Sequence, residues 1–551
     1  GAGGAGGAGG GGGDAGGAGG GGGDAGGAGG GGGDAGGGGG AGGAGGDAGG
    51  AGGGGGGGGD GGGGTGGAAG SGGGSLEAQV TVGAPDRILL RGIVVSPGEA
   101  YEGQVLVEGS LITCAAPGEQ CLAQPGASGA TVIDTHGVIA PGLIDTHNHI
   151  LFDIFDGDDW LPEKLYQNHN QWPGEARYAE MLDVKQCLED ASQGKPPWCP
   201  PTYDGPLNSL KCEMDKFGEL KGLIAGTTSI VGLPGTSSAC FGSLARSIDV
   251  AQNDLPDDFV QTAVALPSTA SAADGVCANF ADGDTKAYLV HCGEGVDATS
   301  LAEFEKLRTV STADGCLYAP QTAITHGTAF GAPEFATMAG AGMKLIWSPA
   351  SNIALYGQTT NLPAALDAGL TVALAPDWSM GGSQNLLDEL RFAQTWDDAN
   401  FGDRLSSRDL VQMATSNAAA VLGLANTLGT LQAGMVADLF VVGGDLAAAY
   451  DAVVGATPRE VRLTMVAGRI LYGDDQLAPA APPDLAPTCE AFDACGRAKF
   501  LCVAEPATTD KLGQTFAQIK AALETGLADA DAAKADDPWT FSPLPPLVRC
   551  P

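Results

Sequence analysis

Pro141-Gly142-Leu143-Ile144-Asp145-Thr146-His147-Asn148-His149 opens with small and apolar residues suited to a buried strand and closes on two of the chain's six histidines. In an extended strand, residues i and i+2 project to the same face, so His147 and His149 can address one ion from the strand end. Imidazole nitrogens paired in this way suit a divalent metal, zinc above all. A bare His-x-His also arises by chance. Its meaning depends on whether further ligands follow at equivalent positions.

From Pro141 onward, apolar strands alternate with helical stretches, the pattern of a parallel α/β architecture. Strands are predicted at 143–146, 227–231, 260–266, 288–291, 323–326, 344–347 and 371–375, with 247–251 as the candidate for an eighth. Helices are predicted between them, for example at 300–307 and 386–395. Eight such strands close a (β/α)8 barrel, whose chemistry sits at the C-terminal strand ends. Three later strand ends carry imidazole or carboxylate: His291 with Glu294 three residues on, His326, and Asp377. Any one of these histidines taken alone reads as a core residue. Four of six at strand ends, in this order, do not.

As a set, His147-Asn148-His149, His291-Cys292-Gly293-Glu294, His326 and Asp377 resemble the amidohydrolase superfamily. The likeness is strongest to its aminohydrolases and chlorohydrolases that act on nitrogen heterocycles with one metal, such as cytosine deaminase and atrazine chlorohydrolase. Ser348-Pro349-Ala350-Ser351-Asn352 matches a further motif of that branch, and Ala414–Ala419 with Leu428–Leu439 matches its C-terminal signature. The resemblance spans about residues 85–475. It implies an α/β fold: a (β/α)8 TIM-like metal-dependent hydrolase barrel with a small β-sandwich domain built from segments on both sides of the barrel.

The resemblance also implies roles. His147, His149, His291 and Asp377 would ligate one divalent ion, zinc first and iron second, with an open position for water. Such an ion lowers the pKa of water towards neutrality. Catalysis would rest on Glu294, His326 and Asp377. Asp377 takes the water's proton, and His326 orients the hydroxide and stabilises charge at the attacked carbon. Glu294 passes a proton to the leaving nitrogen, a role expected to need a pKa raised by burial. The expected reaction is hydroxide attack on an electron-poor carbon with loss of ammonia or an amine. Two features depart from the family. Ala375-Pro376-Asp377 stands where many relatives have Gly-Thr-Asp. No lysine or glutamate is placed to bridge a second metal, since Lys286 precedes its strand and falls at the far end; that favours one ion.

Composition divides the rest of the 551 residues. Residues 1–75 are almost wholly Gly and Ala, with Asp14, Asp24 and Asp34 marking a ten-residue repeat. Nothing there offsets the entropy cost of ordering a backbone, so a disordered tether is expected. Segment 76–140 reads as the first part of the sandwich and 141–425 as the barrel. A long insertion at 151–220, rich in aromatics, Pro and Gly, reads either as a lid or as a surface excursion. The second part of the sandwich follows at 426–475, and a Pro-rich linker with a Cys-containing extension at 476–551. A net charge of −38 argues against a nucleic-acid partner, which needs clustered Lys and Arg. No run is long enough to span a membrane. Thirteen cysteines, several closely spaced (Cys114 and Cys121, Cys187 and Cys199), favour disulfides and an oxidising compartment, secreted, periplasmic or envelope-tethered, with cytoplasmic as the alternative.

Other residues carry less chemistry. His136 reads as structural. His169, inside the insertion, reads as a surface histidine or a substrate contact. Cys292 turns to the face opposite His291 and belongs in the core. Trp347 and Trp378 flank the expected mouth, where they would stack on a flat substrate or pack the rim. Gly381-Gly382-Ser383 reads as a pocket loop.

The function that follows is a metal-dependent hydrolase of non-peptide carbon–nitrogen bonds acting on a small cyclic or heteroaromatic molecule. The alternatives are hydrolysis of cyclic amides, dipeptides or carbon–halogen bonds at the same site, and a non-catalytic surface-anchored binding protein that keeps the fold. The complete ligand set argues against the last.

Overall fold

The computed structural model describes residues 76–189, 196–199, 209–232, 244–249, 259–505 and 513–550. The expected tether at 1–75 and part of the 151–220 insertion lie outside the described residues. Eight short parallel strands build the central element. Strands β1 (Leu143–Asp145), β2 (Thr227–Ile230) and β3 (Arg246–Ser247) pair in that order. A second parallel run holds β4 (Val260–Ala263), β5 (Ala287–Cys292), β6 (Thr322–His326), β7 (Lys344–Trp347) and β8 (Val372–Leu374). The last strand returns to the first: Asn148 and Asp377 form a parallel bridge. There the His149 N–H donates to the Asp377 carbonyl at 2.7 Å and the Asp377 N–H to the His147 carbonyl at 3.1 Å. This is the strand order of a TIM-like barrel, closed at its mouth by the segments that carry the first and last ligands. The strand expected at 247–251 starts one residue earlier, at Arg246, and 250–251 fall outside the described residues.

The strands run apolar where both of their faces are covered. Every residue of β5, from Ala287 to Cys292, is buried, as expected where helices cover a parallel sheet. Burying one Val or Leu side chain stabilises such a strand by about 1.5–3 kcal/mol. Helices follow with local start signals: Asp297 caps Ala298–Thr309 by accepting the Ser300 N–H, and Asn385 caps Leu386–Trp396 through the Asp388 N–H. Polar caps of this kind satisfy N–H groups that have no partner within the helix.

Strands from both sides of the barrel meet in one ten-stranded sheet. Ala130–Pro141 pairs with Leu439–Gly443 antiparallel, and the chain passes from its last residue almost directly into β1. The C-terminal extension adds Glu490–Asp493 and Ala498–Leu501 to the same sheet. Its helix Phe516–Ala533, opened by a Thr515–Gln518 capping box, packs on helices Ala176–Glu189 and Lys211–Leu223. Sheet and barrel are also tied by Arg246 of β3, whose guanidinium pairs with Asp438 at 2.6 Å.

Disulfides join Cys114–Cys121, Cys187–Cys199, Cys277–Cys316, Cys489–Cys502 and Cys495–Cys550, and Cys212 is disulfide-bonded as well. Cys292 is free and buried, in the core as expected. Among the described residues, no helix is long and apolar enough to cross a membrane.

Candidate active site

Four side chains converge where β1, β5 and β8 end. One ligand atom from each of His147, His149, His291 and Asp377 lies within 4.8 Å of the others. His147 Nε2 lies 2.9 Å and His149 Nε2 3.4 Å from Asp377 Oδ1. The His291 ring stands 4.6 Å from that of His147, centroid to centroid. The pair lies just beyond the end of β1, on either side of Asn148, and the Asn148–Asp377 bridge brings Asp377 across to it. Asp377 itself has φ +71°, a left-handed conformation costly for a non-glycine residue. The rigid Pro376 before it and the backbone bonds to His147 and His149 hold it there.

The donor chemistry fits one divalent ion. Burial, the largest influence, lowers the pKa of His149 to about 4 and that of His291 well below its ordinary value, so both imidazoles are neutral. His291 Nδ1 sits 3.1 Å from the Ala263 carbonyl, which accepts its N–H and leaves the Nε2 lone pair free for a metal. Burial alone would raise the pKa of Asp377, but His147, His326 and His149 outweigh it and keep the carboxylate ionised. Ser351 donates to Asp377 Oδ2, fixing the rotamer. Three imidazoles and one carboxylate are a mixed nitrogen–oxygen set suited to a divalent metal with an open position. Among the described residues no thiol joins this cluster.

Glu294 and His326 lie on the same side. Glu294 Oε2 is 3.9 Å from His326 Nε2, and His326 Nδ1 donates to Asn352 Oδ1 at 3.0 Å. Glu294 differs from expectation in its ionisation. Burial does push its pKa up, but His326 and His169 more than offset this and hold the carboxyl well below the usual carboxylate range. The group is built to be an anion that borrows a proton, not a standing acid. Gly293, at φ +72°, allows the sharp turn that presents it; a Cβ there would meet the Phe330 ring at 2.3 Å.

Three further residues hold Glu294, and sequence reasoning did not assign them this task. Tyr356 donates to Glu294 Oε1 at 2.6 Å, and Trp172 Nε1 lies 3.2 Å from the same Tyr356 oxygen. His169 is no free surface residue: Nδ1 lies 3.4 Å from Glu294 and Nε2 3.1 Å from Glu303. Tyr356 falls four residues after Asn352 on helix Pro349–Tyr356, so the Ser-Pro-x-Ser-Asn motif carried a helical signal for it. Nothing local in the sequence marks the contact between His169 and Glu303.

The stretch 151–178 brings aromatic rings over the mouth. Trp378 lies 5.8 Å from His149 and packs against Phe152, Trp160, Trp172 and Tyr178 at 5.3–6.3 Å. Buried Glu175 anchors this stretch, accepting from Trp160 Nε1 at 2.7 Å and from the Tyr166 hydroxyl at 2.5 Å. Trp347 does not join them. It is fully buried and donates to Thr359, so of the two tryptophans expected at the mouth only Trp378 is there. His136 lies away in the ten-stranded sheet. Gly381-Gly382-Ser383 follows Asp377, and Ser383 donates to the buried Glu389.

Comparison with known proteins accords with this geometry. A model of the amidohydrolase family matches residues 244–471. A 5-methylthioadenosine/S-adenosylhomocysteine deaminase of Halobacterium salinarum is 26% identical over 380 residues, covering 64% of this chain and 85% of the relative. One from Symbiobacterium thermophilum is 26% identical, over 71% of this chain and 94% of the relative. Among solved structures, guanine deaminase from Bradyrhizobium japonicum superimposes with a TM-score of 0.53 at 16% identity, over 70% of this chain and 99% of the other. A variant of atrazine chlorohydrolase from Arthrobacter aurescens, complexed with zinc and atraton, gives 0.51 at 18%, over 70% and 95%. The chain is thus similar to amidohydrolases over residues 244–471 and to curated deaminases over 64–71% of its length, and it is a metal-dependent hydrolase of carbon–nitrogen bonds other than peptide bonds.

Proposed function

We propose that His147, His149, His291 and Asp377 hold one divalent ion, zinc ahead of iron, and that the enzyme removes an amino group from a small heteroaromatic ring. The convergence of these four ligand atoms within 4.8 Å carries the reading. An ion bound there supplies a Lewis acid and acidifies water. The protein groups divide the remaining work. Asp377, ionised and fixed by Ser351, accepts the water's proton. Glu294, an anion held by His169, His326 and Tyr356, carries a proton to the leaving nitrogen. His326, its Nδ1–H committed to Asn352, turns Nε2 towards the reacting centre and stabilises charge there. Deaminase names among the relatives support loss of ammonia over loss of halide.

The test is ammonia release from a panel of aminated purines, pyrimidines and triazines, with bound metal measured on the same preparation. We expect about one equivalent of zinc, turnover of at least one panel member, and loss of both in Asp377→Ala. Equal rates for Asp377→Ala and the parent would refute the mechanism. Five disulfides and the bonded Cys212 support an oxidising compartment, secreted, periplasmic or envelope-tethered. The domain plan proposed with this reading keeps a barrel at 141–425, sandwich parts at 76–140 and 426–475, and an extension from 476.

A further inference from the structure

The charge of the substrate can be read from what surrounds the mouth. The stretches that follow the barrel strands, where a substrate must enter, are almost devoid of cations. Residues 293–297, 327–331, 348–361 and 375–386 contain no Lys or Arg, and 146–175 contains only Lys164, whose Nζ lies 5.3 Å from the centre of the Tyr166 ring. Among the described residues, Lys221, Arg549, Lys185 and His169 are already engaged. Lys221, 1% exposed, donates to Gln384 and faces Asp153, Asp156 and Asp159. Arg549 pairs with Asp156 and Asp158, and Lys185 with Glu189. His169 is spent between Glu294 and Glu303.

What the mouth does offer is carboxylate and aromatic face. Trp378 stands next to His149, with Trp172 and Tyr178 packed on it, and the buried Trp378 Nε1 has no hydrogen-bond partner. Ring faces attract cations and stack on flat bases. An indole N–H suits a ring nitrogen as acceptor. Among the described residues that follow the strands, a carboxylate or phosphate entering here meets like charges and no unengaged Lys or Arg apart from Lys164.

We infer that the pocket takes an aminated heteroaromatic that is uncharged or positively charged and excludes one bearing a carboxylate or phosphate. This rests on the hydrolase reading for the ring, but its charge rule is separately testable. Three probes share one ring and differ in the tail: 5′-amino-5′-deoxyadenosine, adenosine and adenosine 5′-monophosphate. Their dissociation constants for the metal-loaded enzyme are read from quenching of tryptophan fluorescence, without turnover. The expected order is cation at least as tight as neutral, with the monophosphate at least about tenfold weaker than adenosine. Added salt should narrow the gap. In Glu303→Lys, a cation placed beside His169 should tighten the monophosphate about tenfold relative to adenosine. A monophosphate bound as tightly as adenosine, no binding of any probe, or no change in Glu303→Lys would overturn the inference; the unmutated enzyme alone decides it if that variant does not fold. Ordered binding with no ammonia from any panel member would sink the hydrolase reading and leave the charge rule. Ammonia release with preference for the monophosphate would do the reverse.

Discussion

Replacing His169 by alanine isolates one charge at the site. Its imidazole lies between Glu294 and Glu303 at 3.4 and 3.1 Å, with 18% of the side chain exposed. Burial disfavours the cation, but hydrogen bonds and attraction from both carboxylates more than offset it, and the pKa is pushed up to about 10. From an ordinary value near 6.5, linkage sets a ceiling of about 5 kcal/mol on what the protonated group contributes. Residual solvent contact at this partly exposed pair reduces that to about 2–3 kcal/mol. Because the folded value is raised, the contribution is complete below pH 6.5. It falls as the pH rises from there and is gone once the pH has passed 10.

The assay is thermal unfolding from pH 6 to 10.5 at low ionic strength, with disulfides intact. For a folded part of about 475 residues, 1 kcal/mol corresponds to roughly 1 °C. His169→Ala should therefore melt about 2–3 °C lower than the parent at pH 6, with the difference closing by pH 10.5. A gap of constant size across the range would mean that packing, not charge, is lost. In turnover, kcat should fall about 10- to 100-fold, since Glu294 loses a cation that keeps it ionised and aimed. His169→Lys should recover part of this.

Three other perturbations follow from single contacts. Glu389 is fully buried, accepts from the Ala350 N–H and Ser383, and burial pushes its pKa up to about 8; the protonated form is favoured in the fold, so stability declines from about pH 4.5 towards pH 8. Glu389→Gln, which mimics that form, should therefore melt higher than the parent at pH 9 and about equally at pH 5. In Gly293→Ala, the added methyl would meet Phe330 between His291 and Glu294; steady-state kinetics should show kcat down by about tenfold or more with metal content retained. Asp474→Ala strands Lys499, fully buried and 2.6 Å from that carboxylate, and denaturant unfolding should show a loss of about 3–5 kcal/mol with no specific effect on KM.

The convergence of His147, His149, His291 and Asp377 was legible in the sequence because each position depends on a local rule. A strand end places His147 and His149 on one face, and apolar runs deliver His291, His326 and Asp377 to equivalent ends. Apolar runs such as those at β5, β7 and β8 stand out for the same reason. The ionisation of Glu294 was not legible. Local reasoning saw only burial, which raises a carboxyl pKa, whereas the deciding cations come from other strand ends and from the 151–178 stretch. Trp347 misled because its position beside a strand end says nothing about which face it takes; it turned inward to Thr359. The C-terminal extension hid its two sheet strands because its Pro-rich, Cys-bearing lead-in reads as linker.

These differences have a consequence for how the site can fail. The four residues proposed to hold the metal come from three strand ends tied together by barrel closure, and none belongs to the 160–178 stretch. Glu294 is different, since its hold includes His169 directly and Trp172 through Tyr356. Metal affinity and proton transfer are therefore carried by separable parts of the fold. Loosening 160–178, for instance by Glu175→Ala, which frees Trp160 and Tyr166, should cut turnover while the enzyme still purifies with its metal. His147→Ala should lose both. If Glu175→Ala lost metal in proportion to activity, the insertion would have to support the metal cluster itself, and the division of labour argued from the contacts would be wrong.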